Sequence, residues 1–98
     1  MSTLRTKNKI IKQMEKEGIP LADEVWFDKD YMFVKLLDGR IIGVPLDRFP
    51  KLKKATQKQR ENYKFIGYGY GIHWEDLDED INIQNLLFPE NSLLKSEK

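Results

Sequence analysis

Residues 31–45 read YMFVKLLDGRIIGVP, two apolar runs on either side of Asp38-Gly39. Asp-Gly is the preferred two-residue hairpin loop, because both loop positions need positive φ. The expected register pairs Leu36 with Ile41, Lys35 with Ile42 and Phe33 with Val44. Alternation then puts Met32, Val34, Leu36 and Ile41 on one face. Tyr31, Phe33, Ile42 and Val44 share the other, so both faces are expected to be at least partly covered. Pro45 lacks a ladder donor and ends the second strand.

Upstream, DEVWFD at 23–28 has the β-branched and aromatic content of a short strand, turned by DKD. Before it, TLRTKNKIIKQMEKEGIP places Leu4, Ile10, Ile11 and Met14 on one side of a helix and Lys7, Lys9, Lys12 and Lys16 towards water. Gly18 stands where a left-handed cap belongs, and Pro20 cannot continue the helix. The apolar stripe is narrow and needs another surface, either the chain's own sheet or a second copy.

Downstream, LDRFPKLKKA is a prolyl connection, and Thr56-Gln57-Lys58-Gln59 has capping-box spacing for a helix from Gln57 to about Tyr63. KFIG and GIHW read as short strands separated by the Gly67–Gly71 glycine–tyrosine alternation, itself expected to be bent strand. EDLDED is a charged turn, INI a brief extended piece, and residues 85–88 a turn of helix. The expected class is α+β: a small antiparallel sheet with a central Asp-Gly hairpin, an N-terminal helix and a short helix packed on the sheet. Residues 1–20 form a helical extension, 21–88 the α+β domain and 89–98 a loose tail.

At 98 residues the chain is one domain, and its formal charge of +1 creates no global field that demands a nucleic acid or an anionic membrane. With no cysteine, disulfides and thiolate metal sites are excluded, which suits a reducing compartment. No apolar run approaches a membrane span, and no secretion-signal core opens the chain, so the expectation is cytoplasmic.

The glycines of Gly67-Tyr68-Gly69-Tyr70-Gly71 are followed by Ile72, His73 and Trp74, which favour strand, and no Lys-Ser/Thr pair follows. A phosphate cradle needs a helix there, so none is expected. His73 is the only histidine. Asp76-x-Asp78-x-Asp80 has the alternation of a Ca²⁺ loop, but Ile81 and Leu87 stand where that loop needs glycine and glutamate. The serines, Ser2, Ser92 and Ser96, are all terminal, and the acidic run lacks the apolar neighbours that would raise a carboxyl pKa. The chain therefore reads as non-enzymatic, without cofactor or metal; a metal-dependent hydrolase around His73 and the acidic turn is the weakest alternative.

Two surfaces remain. The aromatic set Trp26, Tyr31, Tyr63, Tyr68, Tyr70 and Trp74 exceeds what one small core can bury, and such residues beside charged rims make protein-binding surfaces. Trp26, Tyr68, Tyr70, His73 and Trp74, with Asp78, Glu79 and Asp80, are the candidate partner-binding residues. The alternative is a nucleic-acid-binding regulator using the basic segment 48–64, through Lys51, Lys53, Lys54, Lys58, Arg60 and Lys64.

The motifs Asp38-Gly39-Arg40, Val44-Pro45-Leu46, Phe49-Pro50 and Gly71-Ile72-His73-Trp74, with Asp78-Glu79-Asp80-Ile81, closely resemble the bacterial domain of unknown function 2442 family over about residues 23–88. Two departures are Glu75, where proline is expected, and the N-terminal helix, which lies outside the family's usual extent. The resemblance implies a small α+β domain with no assigned enzymology, in an arrangement that looks like a toxin–antitoxin pair. In that pair this domain is the antitoxin or regulator, its partner a cognate small protein. The added helix leaves room for a homo-oligomer contact.

Overall fold

A computed structural model describes residues 2–88, with side chains from residue 8. The expected tail over 89–98 and the side chains of Leu4 and Lys7 lie outside the described residues. The elements are α1 (Ser2–Lys16), β1 (Ala22–Phe27), β2 (Tyr31–Leu36), β3 (Ile41–Pro45), α2 (Pro50–Lys54), α3 (Gln57–Glu61), β4 (Lys64–Ile66), β5 (Gly71–Trp74), β6 (Glu79–Asn82) and α4 (Ile83–Leu87). The class is α+β. The strands divide into two antiparallel meanders, β1-β2-β3 (sheet A) and β4-β5-β6 (sheet B).

The central hairpin is present, shifted by one residue from the expected register. Met32 pairs with Val44, Val34 with Ile42 and Lys35 with Ile41. The cause is the loop. Only Gly39 has positive φ, at 97°, while Asp38 does not, so the two-residue loop with both positions left-handed does not form. Leu37 joins Asp38 and Gly39 in a three-residue loop, in which Gly39 N–H donates to Leu36 O at 2.9 Å and Leu36 N–H to Arg40 O at 2.8 Å. One step of register exchanges the faces of the whole third strand. Val44 is therefore buried and Ile42 partly so, alongside Met32, Val34 and Leu36, while Ile41 turns outward.

The core lies between the inner faces of the two sheets. Val25, Met32, Val34, Leu36 and Val44 of sheet A meet Ile72, Trp74 and Ile81 of sheet B, with Leu46, Leu52 and Ile83 closing the gaps. Each large apolar side chain so buried contributes about 1.5–3 kcal/mol relative to its exposed state. At Gly69 the β4–β5 turn packs against the backbone of β1, where an added Cβ would stand 2.5 Å from the Ala22 carbonyl oxygen. Only glycine admits that approach.

The expected capping box is formed: Thr56 Oγ1 accepts from Gln59 N–H at 3.1 Å and Gln59 Oε1 from Thr56 N–H at 2.9 Å. At the end of α1, Gly18 has φ 79°, its N–H donates to Glu15 O at 3.0 Å, and Ile19 N–H donates to Met14 O at 2.9 Å. This is the double-bonded left-handed helix cap. Leu21 is buried, and its carbonyl accepts from Leu37 N–H at 3.0 Å, which fixes where α1 leaves the body.

The glycine–tyrosine segment departs from the expected bent strand. Gly67, Tyr68 and Gly69 have φ of 58°, 59° and 99°, a left-handed turn closed by Tyr70 N–H donating to Gly67 O at 3.0 Å. Ile66 and Gly71, on either side of it, are paired.

Candidate functional site

The outward face of sheet A carries three rings in a row. Trp26 and Phe33 are opposite each other in the β1–β2 ladder, and their rings stack with centroids 5.7 Å apart and planes 17° apart. Tyr31, two residues from Phe33 on the same strand, continues the stack at 6.0 Å and 25°. The ladder neighbour of Phe33 on the other side is Gly43, and the Phe33 ring lies across the space a side chain would fill, 3.2 Å from an added Cβ. Trp26, Tyr31 and Ile41 are 38%, 42% and 57% exposed. Stacked rings restrain one another and retain few rotamers, which lowers the entropy lost on docking.

Acidic groups edge this face. Glu24 stands two residues from Trp26 and opposite Lys35. In the β1–β2 turn the Asp28 carboxylate accepts from Asp30 N–H at 2.8 Å and Tyr31 N–H at 2.7 Å, which positions Tyr31. Over residues 22–36 the charges are Asp23, Glu24, Asp28 and Asp30 against Lys29 and Lys35, a net of −2.

The structure scatters the other candidate partner-binding residues. Trp74 is a correction: it is fully buried, with Nε1 donating to Arg60 O at 2.9 Å and its ring edge-on to Phe27 at 6.4 Å. It is a core residue and cannot meet a partner. Tyr68 is exposed at the apex of the β4–β5 turn. Tyr70 is half-buried, its hydroxyl donating to Gln84 Oε1 at 3.2 Å. His73 and Asp80 are ladder partners on the outward face of sheet B, where His73 Nδ1 is hydrogen-bonded to the Asp80 carboxylate. Asp78 lies in the β5–β6 turn with φ 50°, and Glu79 opens β6. Only Trp26 belongs to the aromatic row.

The acidic turn and the basic segment face each other within the chain. Lys51 Nζ donates to Asp78 O at 2.9 Å, Lys64 Nζ stands 3.6 Å from Glu75 Oε1, and Asn62 Nδ2 donates to Asp76 Oδ2 at 3.1 Å. Lys53 pairs with Asp47. Arg60 caps α2, its Nε donating to Leu52 O at 2.8 Å and its Nη2 to Lys53 O at 2.9 Å, and its guanidinium lies over the Phe27 ring at 5.7 Å. Of the six basic candidates, Lys54 and Lys58 are left exposed without such a role.

No group of three or more His, Asp or Glu side chains able to hold a metal ion occurs among the described residues. A cleft of about 160 Å³ between the sheets is lined by Val44, Arg48, Phe49, Asp80, Asn82 and Leu86, small beside the roughly 300–1,000 Å³ of ligand pockets. Asp38, in the loop of the central hairpin, has a lowered pKa. The Arg40 backbone N–H, at 3.0 Å from Oδ1, holds it below the ordinary aspartate value, helped by the Arg40 side chain at 2.9 Å from Oδ2.

Phe33, and Tyr31 from the aromatic set, extend the candidate surface beyond Trp26. Strand alternation does place the two on one face. Their conjunction with Trp26 depends on the β1–β2 pairing, which local pattern does not fix.

A family described as "Protein of unknown function (DUF2442)" matches residues 22–92. A crystal structure of a protein of unknown function from Rhodospirillum rubrum is similar to this chain at 30% identity and a TM-score of 0.60, covering 69% of this chain and 84% of that one. A solution structure of an uncharacterized protein from Chromobacterium violaceum shares the fold with a TM-score of 0.63 at 21% identity, covering 76% of this chain and 71% of that one. No curated protein matches the chain. No helix among the described residues is long and apolar enough to cross a membrane.

Proposed function

The chain belongs to the DUF2442 family of proteins of unknown function, and from that premise we propose that it is a non-enzymatic protein-interaction module that docks a cognate small protein on the aromatic face of sheet A. The observation that carries this reading is the stacked row in which the exposed Trp26 and Tyr31 flank a half-buried Phe33, with acidic groups at its edge. Aromatic rings that are ordered yet open to water are the usual anchors of protein interfaces. An antitoxin-like regulator acting in the cytoplasm on a toxin-type partner is the role this reading assigns, in keeping with the arrangement the family resemblance implies. The acidic turn contributes less than the sequence suggests, since its neighbours Lys51, Lys64 and Asn62 already answer it.

The test uses tagged full-length protein and its Trp26→Glu and Lys58→Glu variants to retain partners from the native host, with quantitative mass spectrometry. The expected result is one stoichiometric protein held by the wild type and by Lys58→Glu and lost with Trp26→Glu. No retained protein, or one that Trp26→Glu holds equally well, would sink the reading.

A further inference from the structure

The chain itself carries a segment with the chemistry that this face would recognise. Helix α1 is 15 residues long, about 22 Å at 1.5 Å per residue, which matches the roughly 17–20 Å length of strands of this size. Its residues Ile10, Ile11 and Met14 are half-buried and stand apart from the hydrophobic core. Over residues 2–16 the charges are Arg5, Lys7, Lys9, Lys12 and Lys16 against Glu15, a net of +4. The sheet A hairpin opposes this with its net of −2.

The helix does not reach that face in its own molecule. The cap at Gly18 and Ile19 fixes the direction of its end, and the buried Leu21, bonded to Leu37, anchors the exit beside the β2–β3 loop. Four residues separate Glu17 from Ala22, too few to carry the helix over the sheet without breaking the cap and the anchor. The rings of Trp26 and Tyr31 remain open to solvent.

We propose that α1 of one copy docks across the aromatic face of sheet A of a second copy, with Ile11 and Met14 on the Trp26–Phe33–Tyr31 row and lysines towards Glu24 and Asp28, giving a reciprocal dimer. This rests on the reading of that face as a docking surface and names its occupant. Both contacts in such a dimer are equivalent, as two-fold symmetry requires. The opposite charges steer association and make it weaken with salt. An outside protein would then bind by presenting a basic amphipathic helix of its own and displacing α1.

The experiment is light scattering on full-length protein over a concentration series, with Ile11→Asp and Trp26→Glu variants whose folding is checked by circular dichroism. A dimer is expected, and each variant should raise its dissociation constant at least ~10-fold, the effect of losing an interface anchor. Mixing the two variants should restore association in part, because one of the two contacts then joins an intact helix to an intact face. A monomer at every concentration overturns the dimer, as does a dimer that Trp26→Glu leaves unchanged. If the wild type is monomeric while a host protein still depends on Trp26, a different protein occupies the face; the docking surface stands and the self-association falls.

Discussion

The indole of Trp74 donates its N–H to the main-chain carbonyl of Arg60 at 2.9 Å, joining sheet B to the last turn of α3. That carbonyl belongs to the end of a short helix, where no further turn can satisfy it. Phenylalanine at position 74 would keep an aromatic ring but orphan the carbonyl and leave a void. Trp74→Phe should therefore cost about 2–4 kcal/mol in urea unfolding. Trp26→Phe, on the open face, should stay within about 0.5 kcal/mol of the wild type. Equal costs at the two positions would refute the division of the tryptophans into core and surface.

Gly69 and Gly39 separate close approach from backbone conformation. Both have φ near 100°, but an added Cβ at Gly39 meets nothing within 4 Å, whereas at Gly69 it would meet the Ala22 backbone at 2.5 Å. Gly39→Ala should cost about 1–2 kcal/mol, the strain of a left-handed alanine. Gly69→Ala carries the same strain and must also push the two sheets apart, so its loss should be clearly larger in paired thermal melts.

Arg60 stands in the basic run of the sequence but serves the interior of the fold. Losing its two bonds to the carbonyls of Leu52 and Lys53 and its place over Phe27, Arg60→Ala should cost roughly 1–3 kcal/mol. Lys58→Ala should change stability by no more than about 0.5 kcal/mol. In mobility shifts over a salt series, a nucleic-acid interface would require Lys54 and Lys58 to matter most; the expected outcome is that neither residue nor salt produces a shift.

Asp38 contributes a pH dependence of known sign. Its pKa is lowered in the folded chain, first by the Arg40 backbone N–H and then by the Arg40 side chain. A lowered carboxylate adds stability above its unfolded pKa and loses it as pH falls through the folded one. In carboxyl NMR titrations Asp38 should titrate below the ordinary aspartate range. Arg40→Gln keeps the backbone donor, so it should raise that midpoint only part of the way.

The features legible in the sequence are those whose signal is local. The hairpin, the helix cap at Gly18 and the capping box at Thr56 each depend on a few adjacent residues whose backbone demands are plain. The register is not legible, because Asp-Gly serves both two- and three-residue loops and Leu37, apolar and next to the loop, carries no sign of joining it. The burial of Trp74 is not legible either, because it depends on which sheet covers the ring, a long-range fact. The row of Trp26, Phe33 and Tyr31 stayed hidden for the same reason.

The division into two meanders also sets the tempo of folding. Every ladder joins strands adjacent in the chain, so each sheet can close its loops cheaply before meeting the other, as expected for rapid folding at low contact order. The junction at Gly69 and Ala22 unites segments 47 positions apart, counting from one number to the other. Damage there should mainly accelerate unfolding, because a contact made after the barrier governs how long the native state survives.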